Sequence, residues 1–196
     1  YEWGFSYSDL EMMFGVEKEC IHRTFERFGY KARPSSIRKH IINDEFFKVI
    51  DTEEKAYYLG FFYADGNTAK DKIRLQVADE EVVLGFKAAL KYDGPIYNIK
   101  PRYESRKVQY LLSVARKELV EAITKKGCPP NKSLILTFPD STIVQDRLLV
   151  PFIRGWFDGD GNIYNYKKDK RWRIQLVGTK EFLEGMQNAI DVEGYW

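Results

Sequence analysis

The chain contains two apolar segments, residues 56–66 and 152–161, that are copies of each other and end in the same Asp-Gly dipeptide. Asp160 follows Asp65 by 95 positions. The pattern after each segment also recurs, since Arg-Leu-Gln-Val at 74–77 returns as Arg-Ile-Gln-Leu at 173–176, and residues 79–90 return as 179–190. An internal repeat of this length predicts a fold made of two similar units.

The two copies are unequal in length. Between Asp65 and the unit boundary near Asp140 there are 75 residues, whereas 36 follow Asp160. The second copy therefore lacks the last three predicted elements of the first, which are strands near 96–103 and 107–115 and a closing helix at 117–126. We expect the intact protein to continue past Trp196.

Each apolar segment is predicted to form a buried helix, because its apolar residues cover every side of the helix. Residues 51–54, Asp-Thr-Glu-Glu, predict the start of the first helix, with the Asp as its capping residue. Gly60 with Ala64, and Gly155 with Gly159, place two small residues one turn apart on one helix face. Such faces allow two helix backbones to approach closely. We therefore predict that the two helices pack on each other through these faces.

This packing would bring Asp65 and Asp160 together at the C-terminal tips of the two helices. Two neighbouring carboxylates repel each other, and each also lies at the negative end of a helix dipole. A divalent cation removes this conflict, and oxygen ligands favour magnesium. The chain has two histidines, His22 and His40, which excludes a metal site built from histidines or a Ser–His–Asp triad. Any hydrolytic chemistry must therefore depend on carboxylates.

Composition excludes several classes of protein. Of 196 residues, 44% are hydrophobic and 15% aromatic, which excludes a disordered chain, and no apolar run is long enough to cross a bilayer. The formal net charge of +2 neither requires nor excludes a polyanionic partner. Cys20 and Cys128 stand in unlike surroundings, so we interpret them as reduced thiols of a soluble, intracellular protein.

Residues 1–30 are predicted to form a helix-turn-helix module. Two short amphipathic segments flank Gly15, which can adopt the left-handed conformation of a tight turn. Residues 18–40 carry seven basic and two acidic residues, a net charge of +5. This charge favours DNA binding over the alternative of a plain helical hairpin. The residues of the second helix that would reach a DNA groove are Lys18, His22 and Arg23.

Residues 31–50 are predicted to form a basic linker, because Pro34 and two serines occur in a stretch without apolar periodicity. Arg33 and Arg38 would follow a phosphate ridge or enter a minor groove. A solvated tether without DNA contact is an equal alternative.

The segments YLGFFYADG at 58–66 and IRGWFDGDG at 153–161 resemble the two signature helices of the LAGLIDADG homing endonucleases of the single-chain, two-repeat kind. The resemblance covers residues 51–196. It departs at Tyr63, where the family often has a first acidic residue, whereas Asp158 keeps that residue. The family's metal ligand is the later acid, which both copies retain.

This resemblance implies an α+β fold of two αββαββ repeats, residues 51–140 and 141–196, the second incomplete at its C-terminal end, behind the helical module. The antiparallel sheets would form a saddle over double-stranded DNA. Asp65 and Asp160 would hold Mg²⁺, with Ca²⁺ or Mn²⁺ as substitutes, and Lys132 would lie near the scissile phosphate. For Lys132, an exposed lysine in a Pro-rich connector is the alternative.

The implied activity is hydrolysis of both DNA strands across the minor groove of a long site. The enzyme would act as a monomer with the symmetry of a dimer, as part of a mobile element and without a membrane partner. It would be cytoplasmic in a bacterium or phage, and organellar if encoded by an intron.

The predicted strands supply further candidates for DNA contact, because one face of each strand is apolar and the other is polar or basic. Lys167 and Lys168 belong to a lysine-rich turn that would contact phosphates. Asp79 falls near an auxiliary polar position of the family, or else caps a helix. The strand candidates are Arg74, Gln76, Asn98, Lys100, Arg102, Lys107, Gln109, Ser113, Arg173 and Gln175.

Three other functions stay open on the same fold. One is a transcription regulator that pairs the fold with a helix-turn-helix and does not cut DNA. Another is an intron RNA maturase, and the third is an endonuclease within a protein-splicing element. The retained pair of acids favours a nuclease over the first two alternatives. No segment of the sequence resembles a splicing domain, which argues against the third.

Overall fold

The computed structural model describes residues 7–30, 40–101, 107–166 and 171–190. The chain divides into two compact units, Tyr1–Lys39 and His40–Trp196. Five candidate DNA-contacting residues lie outside the described residues: Arg33, Arg38, Arg102, Lys167 and Lys168.

The first unit contains two short helices, α1 (Tyr7–Phe14) and α2 (Lys18–Arg27), which flank Gly15 as predicted. Gly15 has a φ of +65°, and its N–H donates to the carbonyl oxygen of Glu11 at 2.9 Å. Leu10 and Ile21 are buried. Helical spacing also places Met13, Phe14 and Phe28 on the apolar faces of these two segments, but all three side chains are exposed.

The second unit begins at His40, so residues 40–50, which the sequence analysis assigns to the linker, belong to its folded core. Phe46, Phe47 and Ile50 are each at most 3% exposed. The N–H of Asn43 donates to the carbonyl oxygen of Leu90 at 2.8 Å. The linker was predicted from Pro34, two serines and the lack of apolar periodicity. Burial of the two phenylalanine side chains nevertheless stabilises a packed segment here.

The first repeat has the predicted order αββαββ, followed by a closing helix. Its four strands form one antiparallel sheet in the order β1-β2-β4-β3. Two 3₁₀ turns, Lys132–Leu134 and Asp146–Leu148, lie between this repeat and the next. The elements are α3 (Glu53–Asp65), β1 (Gly66–Thr68), β2 (Ile73–Val77), α4 (Glu80–Ala89), β3 (Tyr97–Ile99), β4 (Gln109–Val114) and α5 (Lys117–Lys125).

The second repeat shows the order αββα in the part of the chain that the structure describes. Its strands form an antiparallel hairpin. Helices and antiparallel strands together give the α+β class that the sequence predicts. The elements are α6 (Leu149–Asp160), β5 (Gly161–Tyr166), β6 (Arg171–Leu176) and α7 (Lys180–Ile190).

Helix α3 is capped by Thr52, and the prediction that Asp51 caps it was wrong. The Thr52 hydroxyl accepts from the N–H of Lys55 at 3.2 Å. The Asp51 carboxylate instead accepts from the Lys55 ammonium at 2.7 Å. Asp79 is the N-cap of α4 and accepts from the N–H of Glu81 at 3.0 Å, which is the structural alternative given for it.

Helices α3 and α6 pack so closely that their backbones are in contact. A methyl group at Gly60 would lie 1.9 Å from the carbonyl oxygen of Phe152, and one at Gly155 would lie 1.9 Å from that of Tyr57. Phe152 follows Tyr57 by 95 positions, so the two contacts are equivalent under the internal repeat. Two halves of one chain therefore meet as the subunits of a symmetric dimer do, through the same surface on each side.

The sheet faces of the two repeats differ in exposure. Ile73 and Leu75 of β2 are each 1% exposed, whereas Trp172 and Ile174 at the corresponding positions of β6 are 71% and 67% exposed. Strand β2 pairs with β4 on its far side, while β6 pairs only with β5 among the residues that the structure describes.

Within these residues, no helix has the length and apolar character needed to cross a membrane.

The small residue at position 159 gives a test of the helix contact. A methyl group at Gly159 would lie 2.4 Å from Cβ of Ala64. We expect Gly159→Ala to lower the free energy of unfolding by about 1–3 kcal/mol, as overpacked cores do. Urea unfolding measures this change.

The matched control is the double variant Ala64→Gly/Gly159→Ala, which moves the methyl group to the other helix and should recover most of the loss. In a helix without a close neighbour, Gly→Ala would instead stabilise by about 1 kcal/mol. A gain of stability in the single variant would therefore contradict the packing.

Candidate functional site

The two helices end in the same way. The last helical residues are Asp65 and Asp160, and each is followed by a glycine that begins a strand. A methyl group at either glycine would lie within 2.4 Å of the phenylalanine ring four residues earlier. A glycine is thus required after each Asp, because the ring folds back over the helix end. The residues involved are Phe62 with Gly66 and Phe157 with Gly161.

The structure brings the two carboxyl groups close enough for the charge of Asp160 to act on Asp65, as the small-residue faces predict. Oδ2 of Asp65 lies 3.2 Å from the position that a Cβ of Gly159 would take, so it lies against the last turn of α6. Partial burial raises the pKa of both Asp65 and Asp160 above the ordinary value, and the charge of Asp160 raises that of Asp65 further. The role of this pair as metal ligands stays a prediction.

Lys132 lies at the same place, and the alternative of an exposed connector lysine was wrong. Lys132 is 6% exposed. The ammonium group donates to the carbonyl oxygen of Tyr63 and, at 2.9 Å, to that of Ala64, which are the last carbonyls of α3 before Asp65. A cation at this end of a helix is favourable. Burial lowers the pKa of Lys132, and the charges of Asp160 and Asp65 oppose that effect.

Tyr63, which stands where the second apolar helix has Asp158, makes specific contacts. Tyr63 is buried, and its hydroxyl donates to the carbonyl oxygen of Lys126 at 2.5 Å. Its ring packs edge-on against Phe152, with 5.1 Å between centroids. At the equivalent contact on the other side, Asp158 accepts a hydrogen bond from the hydroxyl of Tyr57 at 3.0 Å. One contact between the repeats is therefore aromatic and the other is polar.

Tyr57 and Arg154 contact Asp158, and neither was predicted from the sequence as a site residue. Asp158 and partial burial raise the pKa of Tyr57 to about 12, with burial the larger cause. Nε of Arg154 lies 3.9 Å from Oδ2 of Asp158, and its guanidinium group lies 5.8 Å from the centroid of the Tyr57 ring. The spacing of Arg154 and Asp158 by four residues is a signal that could have indicated their contact. The partners of Asp158 distinguish it from the two acids at the tips.

The outward face of the first sheet carries four of the predicted polar residues. Arg74 lies opposite Ser113 on the neighbouring strand. Gln76 is directly paired with Leu111, and its amide donates to the amide of Gln109, which lies two residues from Leu111 on the same strand. These four side chains share one face because directly paired residues of antiparallel strands point the same way.

The prediction that Asn98 shares this face was wrong. Asn98 pairs with Tyr110, which places it on the face of Leu112 and Val114. Tyr97 and Ile99 occupy the outward face instead. Strand β3 is three residues long and exposed along its length, so its polar residues do not reveal which face they occupy. Lys100 and Lys107 are exposed beyond the ends of β3 and β4.

On the second hairpin, Arg173 and Gln175 share a face, as predicted. Gln175 lies opposite Asn162, and Arg173 lies opposite Tyr164. The hairpin thus repeats the outward Arg and Gln of the first sheet. Whether these residues contact DNA stays a prediction.

In the first unit, two of the three residues predicted to reach DNA have acidic partners. Nζ of Lys18 lies 3.5 Å from a carboxylate oxygen of Glu11. Nδ1 of His22 lies 3.5 Å from a carboxylate oxygen of Glu26. Arg23 is exposed on the same helix. Exposed ion pairs of this kind are weak, so they can exchange for phosphate contacts.

Among the described residues, no cluster of three or more His, Cys, Asp or Glu side chains could hold a metal ion. Asp65 and Asp160 are therefore a two-carboxylate site with a neighbouring lysine. Such a site can bind a hard cation if water or phosphate oxygens supply the remaining ligands.

No protein-family model and no curated protein matches the chain. Among solved structures, it is similar to one described as the crystal structure of the N-terminal LAGLIDADG domain of DUF199/WhiA. The identity is 16% and the TM-score 0.44, and the match covers 80% of this chain and 76% of that chain. Similarity at this level leaves the family of the chain open.

The raised pKa values predict how the tip acids affect stability. Because the folded state binds protons more tightly than the unfolded chain, stability falls as the pH rises from about 3.9 through the folded-state pKa values. We expect Asp65→Asn to raise the free energy of unfolding at pH 7 and to change it little at pH 3. Urea unfolding at the two pH values measures this difference.

Asp71→Asn, a substitution of an exposed acid in the turn between β1 and β2, is the control and should have little effect at either pH. If Asp65→Asn destabilised the protein more at pH 7 than at pH 3, the carboxylate would be a stabilising hydrogen-bond acceptor, which contradicts the prediction.

Proposed function

We propose that the protein is a metal-dependent endodeoxyribonuclease that cuts both strands of a long DNA duplex at a specific site. The observation that carries this proposal is the meeting of Asp65 and Asp160 at the tips of two helices in backbone contact. The resemblance of both helices to those of the LAGLIDADG homing endonucleases supports it.

The two carboxyl groups suit magnesium. Mg²⁺ keeps several water ligands and commonly binds one or two protein carboxylates together with phosphate oxygens of the substrate. Asp65 and Asp160 would supply the carboxylates. Partial burial raises the pKa of both, and a bound cation would favour their charged forms. When bound, the metal would activate water and stabilise negative charge that develops on the phosphate.

Lys132 supplies a fixed positive charge beside these acids. An ammonium group has three N–H donors, and two of them are used on the carbonyl oxygens of Tyr63 and Ala64. The third is available to a phosphate oxygen. Because the two backbone contacts hold the group in place, Lys132 would orient the scissile phosphate without moving on binding.

The outward sheet faces would bind the duplex on either side of the cleavage point. Both repeats present an arginine and a glutamine outward at corresponding positions, Arg74 with Gln76 and Arg173 with Gln175. Two similar faces suit a target with two half-sites, read by one chain with the symmetry of a dimer. The helices of the first unit would lengthen the contact.

A DNA-binding regulator that does not cut is the second candidate. The observation that favours it is Tyr63, a buried tyrosine where the resembling family often has an acid. Such a regulator would keep the DNA-binding faces and have no need of magnesium.

Removal of one tip carboxylate separates cutting from binding. We expect Asp160→Asn to lower Mg²⁺-dependent cleavage of a duplex selected from a randomised pool by at least about 100-fold, because loss of one metal ligand removes charge stabilisation at the phosphate. Affinity for the same duplex without divalent cations should change less than about twofold.

Asp158→Asn is the matched control, since an asparagine oxygen can still accept from Tyr57, and it should cut at the normal rate. Equal loss of cutting and binding in Asp160→Asn would show that this acid is structural. Unchanged cutting would exclude the proposed centre.

The salt dependence of binding tests the extent of the interface. If about six phosphates are neutralised, affinity should fall about 1,000-fold between 50 and 200 mM salt. Arg23→Ala should weaken binding and reduce this slope without moving the cleavage position. Fluorescence anisotropy and mapping of the cut ends measure the two effects.

Lys117→Ala, which removes an exposed cation on α5, is the control and should leave the slope unchanged. A flat salt response of the unaltered protein would contradict an interface that spans both repeats.

A further inference from the structure

Gln76 and Gln109 form a hydrogen-bonded pair on the outward face of the first sheet. They lie on the two central strands, β2 and β4, and both side chains are exposed. Nε2 of Gln76 donates to Oε1 of Gln109 at 2.5 Å. Leu111, which lies opposite Gln76, adjoins the pair on the same face and is half-buried.

The pair leaves a defined set of polar groups for a ligand. Each glutamine amide has two N–H donors and an oxygen with two lone pairs. The mutual bond uses one N–H of Gln76 and one lone pair of Gln109. The oxygen and second N–H of Gln76 remain available, so this amide offers an acceptor and a donor side by side. Both N–H groups of Gln109 also remain available. If the two amides exchanged donor and acceptor roles, Gln109 would offer the same combination.

The mutual bond also restricts the motion of both side chains. An exposed glutamine ordinarily loses rotamer freedom when it binds a ligand, which weakens binding. Here part of that ordering has taken place in the free protein. The apolar surface of Leu111 reduces the access of water on one side, and hydrogen bonds are stronger where water is excluded.

We propose that the Gln76–Gln109 pair recognises one adenine in the major groove of the bound duplex. Adenine presents the N7 acceptor beside the N6 donor, which one amide with an adjacent donor and acceptor satisfies. Guanine presents two acceptors, N7 and O6, so a guanine placed against the Gln76 amide would leave the oxygen of that amide facing a lone pair. The inference rests on the proposed function, because it names what this face reads in the DNA.

Selection of bound duplexes from a randomised pool tests the proposal. The unaltered protein should enrich one position in adenine. Gln76→Leu should lose about 5- to 150-fold of the discrimination at that position, the range expected for one bidentate base contact, and should keep the rest of the selected sequence.

The matched control is Gln175→Leu, which removes the corresponding outward glutamine of β6. It should change preference at a different position and keep the adenine. If the Gln76→Leu pool keeps the same adenine as the unaltered protein, the inference fails while DNA binding stands. If the unaltered protein selects no sequence or retains no duplex, the inference falls together with the proposed recognition of a specific site.

A second test uses the unaltered protein, so its outcome does not depend on whether a variant folds. Replacement of the selected adenine by 7-deazaadenine removes only the N7 acceptor, and affinity should fall about 10-fold, the loss of one hydrogen bond to a base. The double variant Gln76→Leu/Gln109→Leu should bind both duplexes equally. Equal affinity of the unaltered protein for both duplexes would overturn the proposal.

Discussion

Backbone contact between α3 and α6 determines how the rest of the second unit is arranged. Gly60 and Gly155 each meet a carbonyl oxygen of the opposite helix at a distance that excludes any side chain. Bulkier residues would separate the helices and with them the acids at their ends. The sheets are joined to these helices by the strands that follow each Asp-Gly, so the spacing of the helices also sets the spacing of the two outward faces.

The same contact creates the electrostatic problem on which the proposed chemistry depends. Asp65 and Asp160 lie close together at two helix ends, where neither the dipoles nor partial burial favours their charge. Lys132 offsets part of this repulsion from within the structure. A bound cation would offset the rest, so an arrangement of charges that is unfavourable in the free protein favours the binding of a cation.

Much of this arrangement could be predicted from the sequence because repetition supplies two independent copies of each signal. The apolar helices, the small residues at 60 and 155 and the paired acids were all readable in this way. The face of Asn98 was not, since a three-residue strand shows no alternation. Residues 40–50 were assigned to the linker because they follow the basic stretch with Pro34 and two serines and show no apolar periodicity. The burial of Lys132 depends on carbonyl groups that a sequence pattern does not display.

The unequal contacts on the two sides of the helix pair have a consequence for how the two halves can be combined. Tyr63 meets Phe152, and Asp158 meets Tyr57, at equivalent places. Two copies of the first half would set Tyr63 against Tyr57 twice. Two copies of the second would set Asp158 against Phe152, which has no hydroxyl to offer the carboxylate. Duplicated halves have thus become complementary and no longer interchangeable, and neither matches itself as well as it matches the other.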